Sequence, residues 1–475
     1  MNAGDTAWVL VSAALVLLMS PGLAIFYGGM TRVKSMLNMM MMSFGALALV
    51  GVLWVLFGYS IAFGTDAGDG LFGNPFEDFG LHNLLATGGS MPLVGTIPEI
   101  VFVGFQGVFA TVTVALVSGA IADRAKFGSW MVFAGAFAVL VYFPVAHWVF
   151  DSKKDAHGTF IGGWLNHLGL IDFAGGTAVE VLAGAAGLAL ALVLGKRVGF
   201  GKDPEHRPHN LPLVMLGCGL LWFGWFGFNA GSALAANGEA GFAWINTLVA
   251  PCAAILSWLV VEKVRDGHAT SFGAASGAVA GLVAITPSCA TIDPVWAIVL
   301  GALAGAVCAL AVGLKYRFGF DDSLDVVGVH LVGGLVGTLF IGLAADPAAP
   351  VPGRGLFYGG GLALLGTQAL GAGAVLGYSF GVALALGLAI KAVMGFRVAR
   401  DVEETGVDLV IHAETAYSSP SATGGGFHPL GVRHTVEALL EQHLERRLGQ
   451  GAADGAHARR EEVLAGASPA GTVGS

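Results

Sequence analysis

Eleven stretches of this chain are apolar for long enough to cross a lipid bilayer, or nearly so, and that constrains its fold more than any other feature. They cover residues 7–29, 37–63, 98–121, 127–150, 173–194, 211–232, 240–262, 271–288, 294–314, 326–345 and 370–398. In hydrocarbon each backbone polar group must be paired internally, which a helix does within one segment. The expected fold is therefore an all-α polytopic membrane protein with eleven transmembrane helices. Composition agrees: 55% of residues are hydrophobic and 12% charged, against roughly 25% charged in soluble domains. The 74 glycines suit close helix contacts. Disorder, a secreted disulfide scaffold and nucleic-acid binding are excluded. The first stretch has no basic leader and no convincing cleavage site, so it reads as a retained helix rather than a signal peptide.

Charge divides the chain into a transmembrane domain, 1–398, and a polar tail, 399–475. The tail holds 6 Lys/Arg and 11 Asp/Glu, hence −5 of the net −9. Within the tail, 433–449 suits a short amphipathic helix, and its Gly/Ala/Ser-rich flanks read as disordered. The loops give the orientation. One set carries Arg32, Lys34, Arg124, Lys126, Lys196, Arg197, Lys202, Arg207, Lys263, Arg265, Lys315 and Arg317; the other carries only Lys153, Lys154 and Arg354. The positive-inside bias makes the first set cytoplasmic, with the N-terminus outside and the C-terminus inside.

Few ionisable residues lie within the apolar stretches, and each is a functional candidate because its insertion costs about 2.5–3.5 kcal/mol. His330 and Glu180 are the deepest; Asp172, His147 and Glu262 sit near span ends. The fifth span enters near Asp172, with Glu180 eight residues on; the tenth enters from the opposite side near Asp322, with His330 eight residues on. At 1.5 Å per residue both lie about 12 Å deep. Two spans of opposite direction that bring an ionisable group to the midplane at one offset indicate an inverted five-plus-five repeat, with one extra helix and a site at the repeat interface. The runs Phe26-Tyr27-Gly28-Gly29 and Phe226-Gly227-Phe228-Asn229 are expected as matching aromatic-glycine breaks in spans one and six.

Aromatic residues form a second group. Phe105 and Phe109 share a helix face, as do Trp225, Phe228 and Ser232. They could line an outer vestibule that holds a small cation by ring quadrupoles; ordinary lipid-facing aromatics would follow the same pattern. The four cysteines, Cys218, Cys252, Cys289 and Cys308, lack metal spacing and read as buried small hydrophobes. The Met39–Met42 run has no Cys or His beside it and reads as packing. The sequence shows no phosphate loop, zinc motif or nucleophile elbow, so no metal, cofactor or enzymatic activity is expected.

At these residues the chain resembles the ammonium transporter family (Amt/Mep/Rh), on its Amt/Mep side. The resemblance covers about residues 5–417 and rests on Phe26–Gly29, Phe105–Gly107, Asp172–Thr177, Pro208–Pro212, Gly224–Ser232 and Asp325–His330. It implies a homotrimer in the cell membrane with one pore per subunit. It also implies ammonium, or the analogue methylammonium, as substrate. By the same resemblance Trp225 and Ser232 are outer binding residues, Phe109 and Phe228 a phenylalanine gate, and Asp172 the aspartate that orders the outer site. His330 is the second of two pore histidines. Glu180 replaces the first, as in some fungal and bacterial relatives. About ten extra residues near 151–160 leave either Phe150 or Phe160 as the remaining vestibule aromatic, since Trp148 falls two residues early. Residues 395–417 resemble the family's C-terminal region, which couples subunits and responds to PII-type signalling proteins.

Magnitudes favour a split mechanism. A bare unit charge in a low-dielectric pore costs tens of kcal/mol. Deprotonating ammonium, with a pKa of about 9.2, costs about 3 kcal/mol at pH 7. The expectation is that a proton leaves, ammonia passes, and the proton follows through Glu180 and His330, so transport is electrogenic. An electroneutral ammonia channel and an ammonium sensor signalling through the tail are the alternatives.

Overall fold

The computed structural model describes residues 1–84, 91–154, 157–202 and 207–417. The tail beyond 417, including the helix expected over 433–449, lies outside the described residues, as do 155–156 of the extra loop segment. Ten helices among the described residues are long and apolar enough to span a bilayer: α1 (Ala3–Met30), α2 (Val33–Phe63), α3 (Glu99–Ile121), α4 (Phe127–Phe150), α5 (Gly176–Leu194), α6 (Leu211–Gly231), α7 (Gly238–Asp266), α9 (Pro294–Phe318), α10 (Val327–Ala344) and α11 (Ala363–Val393). The remaining expected span, 271–288, is the shorter apolar helix α8 (Ser271–Ile285). Its 15 residues reach about 22 Å at 1.5 Å per residue, short of the roughly 30 Å of hydrocarbon. A two-stranded hairpin, Leu93–Val94 with Ile97–Pro98, precedes α3.

Helix starts follow from local chemistry. Asn2, Asn210, Asn237, Thr270 and Asp293 each cap a first turn by accepting a backbone N–H in their side-chain oxygen. Glu262 in turn accepts the Thr270 N–H at 3.0 Å and its hydroxyl at 3.1 Å, so this near-membrane carboxylate serves a helix cap.

The two aromatic-glycine runs are not breaks. Helix α1 runs unbroken through Gly29, and α6 through Asn229. Their glycines let the two helices touch backbone to backbone: a methyl on Gly29 would lie 2.9 Å from the Asn210 carbonyl oxygen, and one on Gly227 2.6 Å from Leu15 Cβ. Of the cysteines, Cys218, Cys289 and Cys308 are buried as expected, but Cys252 is exposed on α7.

Loops from the Lys/Arg-rich set converge at one end of the bundle. Arg197 bridges Asp123 at 2.7 Å and Asp321 at 2.9 Å, and Arg32 approaches Asp123 at 3.6 Å. Arg124 donates to the Asp321 carbonyl at 2.6 Å and to the Ser323 hydroxyl at 2.5 Å. Burial alone would raise the Asp321 carboxyl, but Arg124 and Arg197 hold it down at about 2. The main body runs from Met1 to Val407. Its last segment closes on this network, with the Val398 N–H bonded to the Arg124 carbonyl at 2.9 Å and Arg397 paired with Glu403 at 2.7 Å. The second unit begins at Asp408, and its described part opens with a π-helical turn, Asp408–His412.

Candidate functional site

The repeat inferred from residue spacing is visible in hydrogen bonds. Asp172 Oδ1 accepts the N–H groups of Gly175 and Gly176 at 2.9 and 2.7 Å, and Oδ2 those of Thr177 and Ala178 at 2.8 and 3.0 Å. Asp322 does the same for α10, accepting from Val326 at 3.1 Å and Val327 at 2.7 Å. A carboxylate at a helix N-terminus meets both its unpaired donors and its positive dipole end. In each helix the capped end enters a π-helical turn, Gly176–Val181 in α5 and Val327–Leu331 in α10. Such turns add a residue to the helical ladder and recur at functional sites. Glu180 and His330 lie within them.

Glycines then bring the two helices together reciprocally. A Cβ on Gly184 would lie 2.5 Å from Leu331 Cβ and N, and one on Gly334 would lie 3.1 Å from Val181 Cγ2 and 3.0 Å from Glu180 Cβ. Each glycine of one half thus receives the π-turn of the other. At this crossing His330 Nδ1 and Glu180 Oε2 are 2.6 Å apart, with the side chains 5% and 1% exposed. The short distance is that of a strong, buried hydrogen bond.

The pair borders a cavity of about 10 Å³, room for about one water-sized molecule. Its other walls are Met19, Leu23, Phe26, Val112, Leu116, Val179, Leu221, Trp225, Phe228 and Val279. Only Glu180 and His330 among these are ionisable. Phe228 also stacks on Phe109 with centroids 4.0 Å apart and planes at 25°, and Phe105 meets Phe109 edge-on at 5.0 Å. All three phenyl rings are buried. Trp225 lies 5.6 Å from Phe228, and its indole N–H donates to Thr286 Oγ1 at 2.7 Å. Ser232 donates to the Phe228 carbonyl at 2.8 Å, which leaves its hydroxyl oxygen free to accept.

The structure places Trp225 and Phe228 on one cavity with Glu180 and His330; Phe109 stacks on Phe228, Phe105 meets Phe109 edge-on, and Ser232 lies one turn further along α6. Trp225, expected at the outer mouth, is instead 2% exposed and lines this inner cavity, because it precedes Phe228 on the outward-running helix. Asp172 sits at the start of α5, occupied by four backbone donors. Phe150 and Phe160 part company. Phe150, the last residue of α4, lies 3.6 Å from the position of a Gly175 Cβ, next to the Asp172 turn. Phe160 packs on His167 at 4.7 Å, and its backbone bridges to Lys154. Trp148 is engaged elsewhere, donating to the Leu71 carbonyl at 2.7 Å. His147 is buried, with Nδ1 3.1 Å from the Ala62 carbonyl oxygen and 3.5 Å from Asp151, away from the cavity residues. Thr286 and the aliphatic walls were not singled out from sequence; an apolar residue on a hydrophobic helix carries no mark of facing a cavity.

The fold and cavity define a multi-pass helical membrane protein with a small, largely apolar central cavity whose lining carries one acid–base pair. Residues 7–417 match the Ammonium Transporter Family. An ammonium transporter of Mycobacterium tuberculosis is 56% identical over 468 residues, covering 94% of this chain and 96% of that one. One of Bacillus subtilis is 43% identical, covering 88% and 99%. Among solved structures, Saccharomyces cerevisiae Mep2 superposes with a TM-score of 0.76 at 35% identity, covering 84% of this chain and 88% of that one. A protein described as a sensor Amt protein gives 0.76 at 28% identity, covering 86% and 97%. The chain belongs to the ammonium transporter family.

Proposed function

We propose that this protein carries ammonium across the cell membrane by separating it into ammonia and a proton. The observation that carries the proposal is the buried Glu180–His330 bond at 2.6 Å, bordering a cavity of water-molecule size behind stacked phenyl rings. Ammonium is recruited at the mouth by the accepting lone pairs of Ser232 and by aromatic ring faces, which attract cations; the buried Trp225 faces the cavity behind the phenyl rings instead. Phe150 is the aromatic we place in this vestibule, because it adjoins the turn that Asp172 orders; Phe160 is assigned to the loop. The apolar walls disfavour the ion far more than they disfavour ammonia, so the proton leaves before the cavity and crosses by way of Glu180 and His330 as a coupled pair. Net charge moves. Three subunits, each with its own pore, form the unit. The Lys/Arg-rich end faces the cytoplasm, where residues 395–417 couple subunits and meet a PII-type partner.

Ammonium pulses on protein-loaded membranes test this. A transient current is expected, weaker with methylammonium. Ammonia flux without current would establish an electroneutral channel instead. The likeness to a sensor Amt protein keeps a second role, ammonium sensing, within reach of the same site.

A further inference from the structure

At the Lys/Arg-rich end, a second cavity of about 580 Å³ opens between the loop after α5 and the segment after α11. Its lining is Lys196, Val198, Gly199, Arg397, Val398 and Arg400. Three of these six residues are cationic and none is anionic.

The nearby carboxylates cancel only part of that charge: Glu403 neutralises Arg397. Glu403 is fully buried, and both its oxygens are committed: Oε1 accepts the Val198 N–H at 2.7 Å and Oε2 accepts Arg397 at 2.7 Å. It fixes one wall to the other. Arg397 also donates to the Leu194 carbonyl at 3.1 Å, so its plane is held rigid across the cavity wall. Glu404 pairs with Arg400 at 2.9 Å, but that pair is 78% and 52% exposed. An exposed pair of this kind is worth about 0–1 kcal/mol and yields readily to a better anion. Lys196 pairs with no carboxylate among the described residues; its ammonium lies 5.8 Å from the Phe200 ring centroid. Behind the cavity, the buried carboxylates Asp123 and Asp321 are already taken by Arg197.

We propose that this cavity is a binding site for a phosphate-bearing anion, held by Lys196 and Arg400 against a wall that the Arg397–Glu403 pair fixes. A guanidinium matches phosphate oxygens two at a time and an ammonium meets them as a point charge, so the two head groups serve complementary oxygens. The occupant joins the loop after α5 to the segment 397–400, which follows the last span directly. Either a soluble phosphate or the head group of an anionic phospholipid carries this chemistry; basic pockets beside membrane helices take phospholipid head groups.

The site is independent of the pore, and its test does not use ammonium. The full chain in phosphatidylcholine nanodiscs is titrated with inorganic phosphate against chloride at equal ionic strength, reading the thermal unfolding midpoint. In parallel, protein from membranes containing phosphatidylglycerol is examined by native mass spectrometry for retained lipid. The same measurements are made on Lys196→Gln/Arg400→Gln, whose altered side chains are exposed and outside the pore. A midpoint rise with phosphate, shifted at least tenfold in concentration in the double variant, supports a soluble occupant. Retained phosphatidylglycerol in the wild type, lost at least tenfold in the variant, supports a lipid head group. If wild type and variant behave alike with both probes, the proposal is overturned and the cavity is only a solvated cleft.

Discussion

Gly184 offers a test of how the fold sets the pore chemistry from outside it. An alanine methyl there would lie 2.5 Å from Leu331 Cβ and N, the residue that follows His330. Ordinary contacts of an added Cβ begin near 3.4 Å, so α5 and α10 must part by about 0.9 Å at this level. Added to the 2.6 Å between Glu180 Oε2 and His330 Nδ1, that displacement gives about 3.5 Å, the limit at which a hydrogen bond ceases to count. A hydrogen bond to a charged group contributes about 1.5–3 kcal/mol, or roughly 10- to 150-fold in an equilibrium. Overpacking of this kind costs about 1–3 kcal/mol of stability as well. Gly184→Ala should thus lower the unfolding midpoint modestly and reduce the ammonium current about tenfold or more, with an altered pH profile. Gly184→Ser adds similar bulk and should do the same. Currents are read on purified, correctly assembled protein, so that a folding loss is separated from a pore defect. A Gly184→Ala protein with wild-type current and pH profile, alongside a Glu180→Gln protein that loses both, would show that the crossing glycine does not hold the pair together.

Other perturbations address the pore and its entrance. Glu180→His should retain ammonium current and shift its pH dependence, whereas Glu180→Ala should lose most of it, because one partner of a buried pair is then missing; solid-supported membrane currents across pH decide between them. Ser232→Ala should raise the half-saturating ammonium concentration, by an amount corresponding to about 0.5–1.5 kcal/mol of lost contact, whereas Trp225→Leu, which removes a wall of the buried cavity, should change the maximal current more than the half-saturating concentration; a dose–response series separates the two. Phe150→Ala should raise that concentration and Phe160→Ala should leave it unchanged. Asp151, in the loop after α4, has its carboxyl pushed up to about 6 by burial. A carboxyl raised in this way stabilises the fold fully below its unfolded pKa of about 3.9 and loses that contribution as pH rises through about 6. Asp151→Asn should therefore match the wild type near pH 4 and exceed its unfolding midpoint at pH 7, by at most about 3 kcal/mol in stability.

Hydropathy made the spans legible because hydrocarbon leaves a helix little choice, and the positions of Asp172, Glu180, Asp322 and His330 exposed the repeat because both halves place an aspartate and an ionisable group at the same offset. The glycine-rich runs misled for a physical reason. Glycine both loosens a helix and allows close approach, and only the partner helix decides which; at Gly29 and Gly227 the partner was decisive. Gly184 and Gly334 carried no mark among 74 glycines, although they too repeat at the offset of the ionisable pair. The choice between Phe150 and Phe160 was hidden because it depends on how a loop folds, and loops have no periodicity to read.

The matching aspartate caps, π-turns and crossing glycines make the centre of this protein nearly the same whichever side of the membrane it is viewed from. A conduit with that property has no intrinsic sense of direction. Any inequality between inward and outward passage at the midplane originates where the two halves differ, in a carboxylate facing an imidazole. Exchange of those two side chains, Glu180→His with His330→Glu, reverses the polarity of the pair while leaving the surrounding scaffold unaltered, and so converts a question about rectification into one about two residues.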